Sequence, residues 1–206
     1  MQEFDDANRK VALRKQYLSL RKEMQLSEWE RLNTGILEQF EMLDLPALKK
    51  PSPFVHTFLA IQKNREPNTH ALADLLTLKF PGIQWVISKS DRETAELYHF
   101  LWESDTLIEE NAWGIPEPIG GIRIEEALID VVFVPLLVAD RRGHRVGYGK
   151  GFYDRFLIKC RPDTIKIGIS MFDLTDQEIP ILPSDIPLDL CVTPTETIWF
   201  NKLSET

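Results

Sequence analysis

Three glycines spaced two apart, Gly147, Gly149 and Gly151, run directly into an amphipathic stretch, Phe152 to Lys159, that Pro162 stops. Glycine allows backbone conformations that bring main-chain amides close to a ligand, and a helix that starts just beyond leaves further amides unpaired. Five cations, Arg141, Arg142, Arg145, Lys150 and Arg155, crowd the same segment of a chain whose formal net charge is −8. Anion binding is the economical reason for such crowding, and the loop geometry suits a phosphate. The Gly-x-Gly-x-Gly spacing is not the dinucleotide fingerprint, and no Ser or Thr follows Lys150 as in a P-loop. Asp154, early in the helix, is a carboxylate beside the same loop, although an acid in a first helical turn is favourable on its own account.

The elements that must position these residues can be read on either side. Val131 to Val138, apolar and interrupted only by Pro135, predicts a strand buried on both faces, and Asp140 to His144 with Gly143 predicts a turn. A helix over Asp6 to Met24, with Val11, Leu13, Tyr17 and Leu20 as its apolar positions, puts Lys10 and Arg14 on one face. Ser27 followed by Glu30 predicts a capping box for a second helix, Glu28 to Met42. Phe54 to Ile61 predicts a strand, with Glu66 and Thr69 just beyond it and Thr69 capping a helix that runs through Leu78. Gln84 to Ser88 and Thr164 to Ser170 predict further strands, and Val192 to Phe200 a last one. Glu93 to Trp102 is ambiguous between strand and helix. Trp113 to Pro118 is a stiff, proline-rich connection. Strands alternating with helices predict an α/β fold, a single domain over residues 1–206 with a largely parallel sheet, helices on both faces and the ligand beyond the carboxyl ends of the strands.

Composition narrows the partners. The 24 Lys and Arg against 32 Asp and Glu argue against nucleic acid or an anionic membrane surface. Met1 to Arg9 is polar and no apolar run reaches bilayer length, so a cytoplasmic protein is expected. Cys160 and Cys191 lack CxxC spacing, and the four histidines are scattered, with no zinc-type cluster.

The stretch Val131 to Cys160 resembles the signature of the 5-formyltetrahydrofolate cyclo-ligases (methenyltetrahydrofolate synthetases): Pro-Gly-x-x-Phe-Asp, a short gap, then Gly-x-Arg-Leu-Gly-x-Gly-x-Gly-Tyr-Tyr-Asp. Here the same positions read Pro135-Leu-Leu-Val-Ala-Asp140, then Gly143-His-Arg145-Val-Gly147-Tyr-Gly149-Lys-Gly151-Phe-Tyr153-Asp154. Leu136 stands where the family has Gly, and Ala139 where it has Phe, which bears on pocket shape at the strand exit. Asn8 to Arg14 is similar to the family's Lys-x-x-x-Arg helix, and Ile115-Pro-Glu-Pro118 to its segment before the central strand.

The resemblance implies ATP-dependent conversion of 5-formyltetrahydrofolate to 5,10-methenyltetrahydrofolate with release of ADP and phosphate, and a monomer acting on small molecules is expected. It implies that Lys10, Arg14, Arg145, Gly147 and Tyr148 bind ATP, together with Gly149, Lys150, Gly151, Phe152 and Tyr153. Arg145 and Lys150 would serve the transferring phosphoryl group. Ile61, Glu66, Trp113 and Tyr148 would contact the folate. Asp154 and Asp185, or Asp189 in place of the latter, would hold Mg2+. Two readings from other classes stand beside this one: a phosphosugar isomerase or coenzyme A transferase-like enzyme on a similar sheet, and a non-catalytic nucleotide-binding regulatory module.

Overall fold

The computed structural model describes residues 2–91 and 93–200. Among these, four α-helices occur: α1 (Gln2–Glu23), α2 (Leu26–Met42), α3 (Thr69–Lys79) and α4 (Phe152–Leu157). The strands are β1 (Phe54–His56), β2 (Gln84–Ser90), β3 (Leu97–Leu101), β4 (Ile108–Glu110), β5 (Pro116–Pro118) and β6 (Arg123–Ile124), then β7 (Val131–Pro135), β8 (Val138–Ala139), β9 (Arg145–Val146), β10 (Ile165–Ile169), β11 (Leu190–Val192) and β12 (Thr197–Trp199). Eight of them form one sheet in the order β12-β11-β10-β7-β1-β2-β3-β6. Its centre, β11 to β2, is parallel, and its edges, β12, β3 and β6, are antiparallel. The two remaining pairs, β4 with β5 and β8 with β9, are small antiparallel hairpins.

Strand β7 shows why this sheet is covered twice. Val131, Val132, Phe133 and Val134 are all fully buried, and they alternate between two cores. Val131 and Phe133 join Ile36 and Phe40 of α2 and Leu72 and Leu76 of α3. Val132 and Val134 face Phe156 and Leu157 of α4 together with Leu188. Each such side chain contributes about 1.5–3 kcal/mol relative to leaving it in water. The expected fold class is therefore what the chain adopts.

Several local expectations change. The predicted strand Val131–Val138 is two: β7 ends at Pro135, which has no N–H for a ladder, and Val138–Ala139 pairs instead with Arg145–Val146. Leu136, between them, is core: a Cβ at Gly168 would lie 2.7 Å from its Cδ2, so the missing side chain at Gly168 makes room for it. Ala139 is equally buried, and neither residue lines the functional cavity described below. The Ser27 capping box does not form. Helix α2 begins two residues earlier than expected, at Leu26, with Gln25 as an N-cap that makes no side-chain bond. Thr69 is not a cap either: Asn68 is, accepting from the Ala71 amide at 3.2 Å, while the Thr69 hydroxyl donates to the Phe58 carbonyl. Ladder pairing over Phe54–Ile61 stops at His56, and the chain from Thr57 onward is left to line a cavity. The ambiguous segment settles as β3, the antiparallel partner of β2. Helix α4 is shorter than its amphipathic pattern and ends at Leu157.

Helix α1 packs at the end of the sheet where β7 leaves it. Leu13 packs against Val138, Val146 and Ile179, and Arg21 donates to the Leu136 carbonyl. Among the described residues, no helix is long and apolar enough to cross a membrane.

Candidate active site

The β8–β9 hairpin carries the glycine loop, and Asp140 fixes it. Its Oδ1 accepts the amides of Arg142 (2.9 Å) and His144 (3.0 Å), its Oδ2 the amide of Ile179 (3.0 Å), and Gly143 turns at φ 84°. Beyond β9, the amides of the five residues from Gly147 to Gly151 make no hydrogen bond to another described residue. All five residues line a cavity of about 610 Å³. A run of unpaired backbone donors is costly unless water or a ligand completes it. Gly149 has a specific reason to be glycine. Its φ is 86°, and a Cβ there would lie 2.7 Å from the guanidinium carbon of Arg14. Since α4 has only six residues, the loop amides rather than a long helix dipole carry whatever attraction this segment has for an anion.

Four cations meet at this end of the cavity. Lys10, 6% exposed, pairs with Asp185, and Arg145 Nη2 lies 2.7 Å from Asp154 Oδ1. Arg14 Nε donates to the Gly147 carbonyl at 2.9 Å and has no carboxylate partner among the described residues; its burial lowers its pKa. Lys150 is exposed and its ammonium likewise has no partner there. Four cations against two carboxylates leave a formal surplus of two positive charges, Arg14 and Lys150. The other cations of the crowded segment are engaged elsewhere. Arg141 bonds Asp176, Arg142 reaches Asp140 and Glu178, and Arg155 donates to the carbonyls of Ala95 and Lys150. Only Arg145 and Lys150 of the five reach the cavity.

Asp154 and Asp185 occupy one corner, because the amide of Ile186 donates to Asp154 Oδ1 at 3.1 Å and Arg145 also reaches the Ile186 carbonyl. The bonds to Asp154 fall on Oδ1 and those to Asp185 on Oδ2, so one oxygen of each carboxylate is uncommitted. Among the described residues, no group of three or more His, Cys, Asp or Glu is arranged to hold a metal by itself. Two hard oxygen donors do fit an ion such as Mg2+, which keeps several waters and takes further oxygens from a bound phosphate. Asp189 is not placed to join them. It takes the Lys166 amide at 2.8 Å and ion-pairs with the Lys166 ammonium, outside the cavity lining.

The opposite end of the cavity has different chemistry. Phe58, Leu59, Ile61, Trp113 and Ile115 give it an apolar surface, and Glu66 is buried in it at 3% exposure. Glu66 Oε2 accepts the Ile61 amide (2.7 Å), Oε1 accepts the Tyr148 hydroxyl, and Arg21 Nη1 lies 4.0 Å from Oε1. Burial raises the Glu66 pKa above the usual carboxylate range, against these bonds and the Arg21 charge. Burial likewise raises the Tyr148 phenol, with the Glu66 charge adding to it.

Every residue that the resemblance assigned to ATP, folate or the transferring phosphoryl group lines this one cavity, as do Asp154 and Asp185. Sequence reasoning missed Arg21, although it continues the α1 face Lys10, Arg14, Tyr17 at helical spacing. It also missed Ser88, Ser90 and Glu117, which line the apolar end. Ser88 and Ser90 lie on one face at the end of β2, where strand alternation would have paired them had the strand been drawn to Ser90.

Comparison with known proteins adds an independent line. The sequence profile of the 5-formyltetrahydrofolate cyclo-ligase family matches residues 6–194. A probable 5-formyltetrahydrofolate cyclo-ligase of Schizosaccharomyces pombe is 32% identical over 117 residues, covering 50% of this chain and 57% of that one. That of Mycoplasma pneumoniae is 28% identical over 183 residues, 89% and 97% of the respective chains. The chain spans about half the length of several of the curated relatives it matches. Among solved structures, the 5,10-methenyltetrahydrofolate synthetase of Aquifex aeolicus superposes with a TM-score of 0.70 at 25% identity, over 96% of this chain and 95% of that one.

Proposed function

The chain belongs to the 5-formyltetrahydrofolate cyclo-ligase family, and we propose that it converts 5-formyltetrahydrofolate and ATP to 5,10-methenyltetrahydrofolate, ADP and phosphate. The observation that carries this reading is the two-ended cavity. Unpaired loop amides with a surplus of two cations suit a triphosphate, and they open into an apolar chamber holding a buried carboxylate, which suits a reduced pterin. A cavity of about 610 Å³ is within the range of small-molecule sites. A phosphosugar isomerase would not need the apolar end.

In this reading the formyl oxygen attacks the γ-phosphorus, ADP leaves, the nitrogen at position 10 closes on the activated formyl carbon, and phosphate departs with the former formyl oxygen. The nitrogen gives up its proton in the process. Phosphoryl transfer asks the protein mainly for alignment and charge neutralisation, so no covalent nucleophile is required. Lys10, Arg14 and the amides of Gly147 to Gly151 hold the triphosphate, while Phe152 and Tyr153 close the wall beside it. Arg145 and Lys150 stand where the charge moves. Glu66 and Tyr148, with Ile61 and Trp113, orient the folate so that its formyl group meets that phosphoryl group. Asp154 and Asp185 would hold Mg2+, which when bound neutralises phosphate charge.

One domain over residues 1–206 carries the activity, acting as a monomer. Cys160 and Cys191 are free thiols, in keeping with a cytoplasmic location. The assay is direct: protein, MgATP and 5-formyltetrahydrofolate are mixed and the absorbance of the methenyl product is followed. Product should form only with ATP and a divalent cation both present. Equal product without ATP overturns the ligase reading.

A further inference from the structure

Four carboxylates are buried among the described residues, and three of them, Glu66, Asp130 and Asp140, have an Arg or Lys within 4.0 Å. Glu117 has none. Its two hydrogen bonds come from the amide (3.0 Å) and the hydroxyl of Ser90, and both fall on Oε1. Oε2 receives no bond from a described residue, although Glu117 is only 7% exposed and lines the apolar end of the cavity. A buried carboxylate without a cation is disfavoured unless something else supplies donors to it.

The wall around Glu117 points the same way. The Ser90 hydroxyl hydrogen is committed to Glu117. Ser88 Oγ sits between two buried imidazoles, 2.7 Å from His56 Nε2 and 2.8 Å from His99 Nδ1. Whichever of the two rings accepts, the Ser88 hydrogen is directed to an imidazole nitrogen behind the wall and not into the cavity. Toward the cavity, Ser88, Ser90 and Glu117 therefore offer oxygen lone pairs and no O–H hydrogen.

We propose that Glu117, held by Ser90, is a specificity-determining residue that accepts the ring N3–H and the exocyclic amine of a 2-amino-4-oxotetrahydropteridine. These two donors lie side by side on one edge of the ring, and a carboxylate accepts such a pair together. The inference rests on the folate reading above and extends it to the edge of the ring system. Glu117 selects ligands that bring N–H groups and disfavours those that bring acceptors, because an acceptor would leave its charge buried and unanswered.

The test is titration calorimetry with 5-formyltetrahydrofolate and its 2-desamino-2-methyl analogue. The wild-type protein should bind the parent compound at least about tenfold more tightly than the analogue, the effect of one lost hydrogen bond to a charged group. In Glu117→Met the two compounds should bind alike, with ATP affinity unchanged. If that variant fails to fold, Glu117→Gln decides, since its amide oxygen still serves Ser90 while the charge is gone. A preference at least threefold below the wild-type value supports the assignment. An unchanged preference makes Glu117 a strut between β5 and β2 and overturns the inference while leaving the cyclo-ligase reading intact. A wild-type protein that binds neither compound overturns both.

Discussion

The two ends of the cavity solve the problem of buried charge in opposite ways. At the glycine-loop end, both carboxylates already have cations, Asp154 with Arg145 and Asp185 with Lys10, and the surplus is positive. At the apolar end, Glu66 has Arg21 only at 4.0 Å and Glu117 has no cation among the described residues. The first end is organised before any ligand arrives and waits for negative charge. The second is a set of acceptors whose donors the ligand must bring. Pre-paired ion pairs favour rigid alignment, as a transferring phosphoryl group needs, whereas unanswered acceptors favour discrimination between ligands.

The sharpest way to break this contrast is at Lys150. Arg145 is locked, with its side chain 7% exposed and bonds to Asp154 and Ile186, but the Lys150 ammonium at the same end has no partner among the described residues. A free cation can follow the moving charge, so its contact should strengthen in the transition state and act on kcat rather than on KM. Lys150→Met, which keeps the chain length and loses the charge, should lower kcat by roughly a hundredfold or more while the KM for ATP changes little. Steady-state kinetics decide it. Near-normal kcat would return Lys150 to solvent and leave the locked Arg145 as the only cation stabilising the transfer.

A smaller effect is expected at the other end. Glu66→Gln keeps an oxygen for the Ile61 amide and removes the charge, so it should raise the KM for 5-formyltetrahydrofolate about tenfold and leave that for ATP unchanged. Calorimetry that showed ATP affinity falling while folate affinity held would mean that the two ends do not divide the substrates as described.

The same contrast explains what the sequence made legible. The glycine-loop end is nearly contiguous: β9, the loop and the start of α4 lie within Arg145 to Asp154, and α1 adds Lys10 and Arg14 one turn apart. Local spacing captures such an end. The apolar end draws on the exit of β1, the last turn of β2, the β4–β5 hairpin and the loop before α3, which are neighbours only once the parallel sheet has formed. Glu66 was legible through family resemblance, but Ser90 and Glu117 are 27 residues apart and meet only in the fold. The crowding of Arg141, Arg142 and Arg155 misled for a related reason. Charge density along a chain does not say which cations the acids of distant loops, such as Asp176 and Glu178, will take away. The cap at Ser27 failed more simply, because α2 already begins at Leu26 and Ser27 lies inside the helix.

The smallest expected effect concerns the imidazoles behind the apolar end. Burial holds His56 well below its ordinary pKa, and burial first, then the charges of Arg123 and Lys159, hold His99 at about 3. Both rings are therefore neutral in the folded protein near neutral pH, and each turns one nitrogen to the Ser88 hydroxyl. Unfolding restores values near 6.5, so between that pH and the folded values the unfolded chain binds protons that the folded one refuses. Stability is complete above 6.5 and falls as the pH falls, with a limiting slope of about 1.4 kcal/mol per pH unit for each histidine. Urea unfolding between pH 6.5 and 5, above the range where most carboxylates titrate, should show that loss. His99→Gln, which keeps a polar group for Ser88 and removes one titrating ring, should reduce the slope by about half the two-histidine contribution. Equal slopes in the two proteins would mean that His99 takes up its proton as readily in the folded chain as in the unfolded one, and that burial in this wall does not hold its ring neutral.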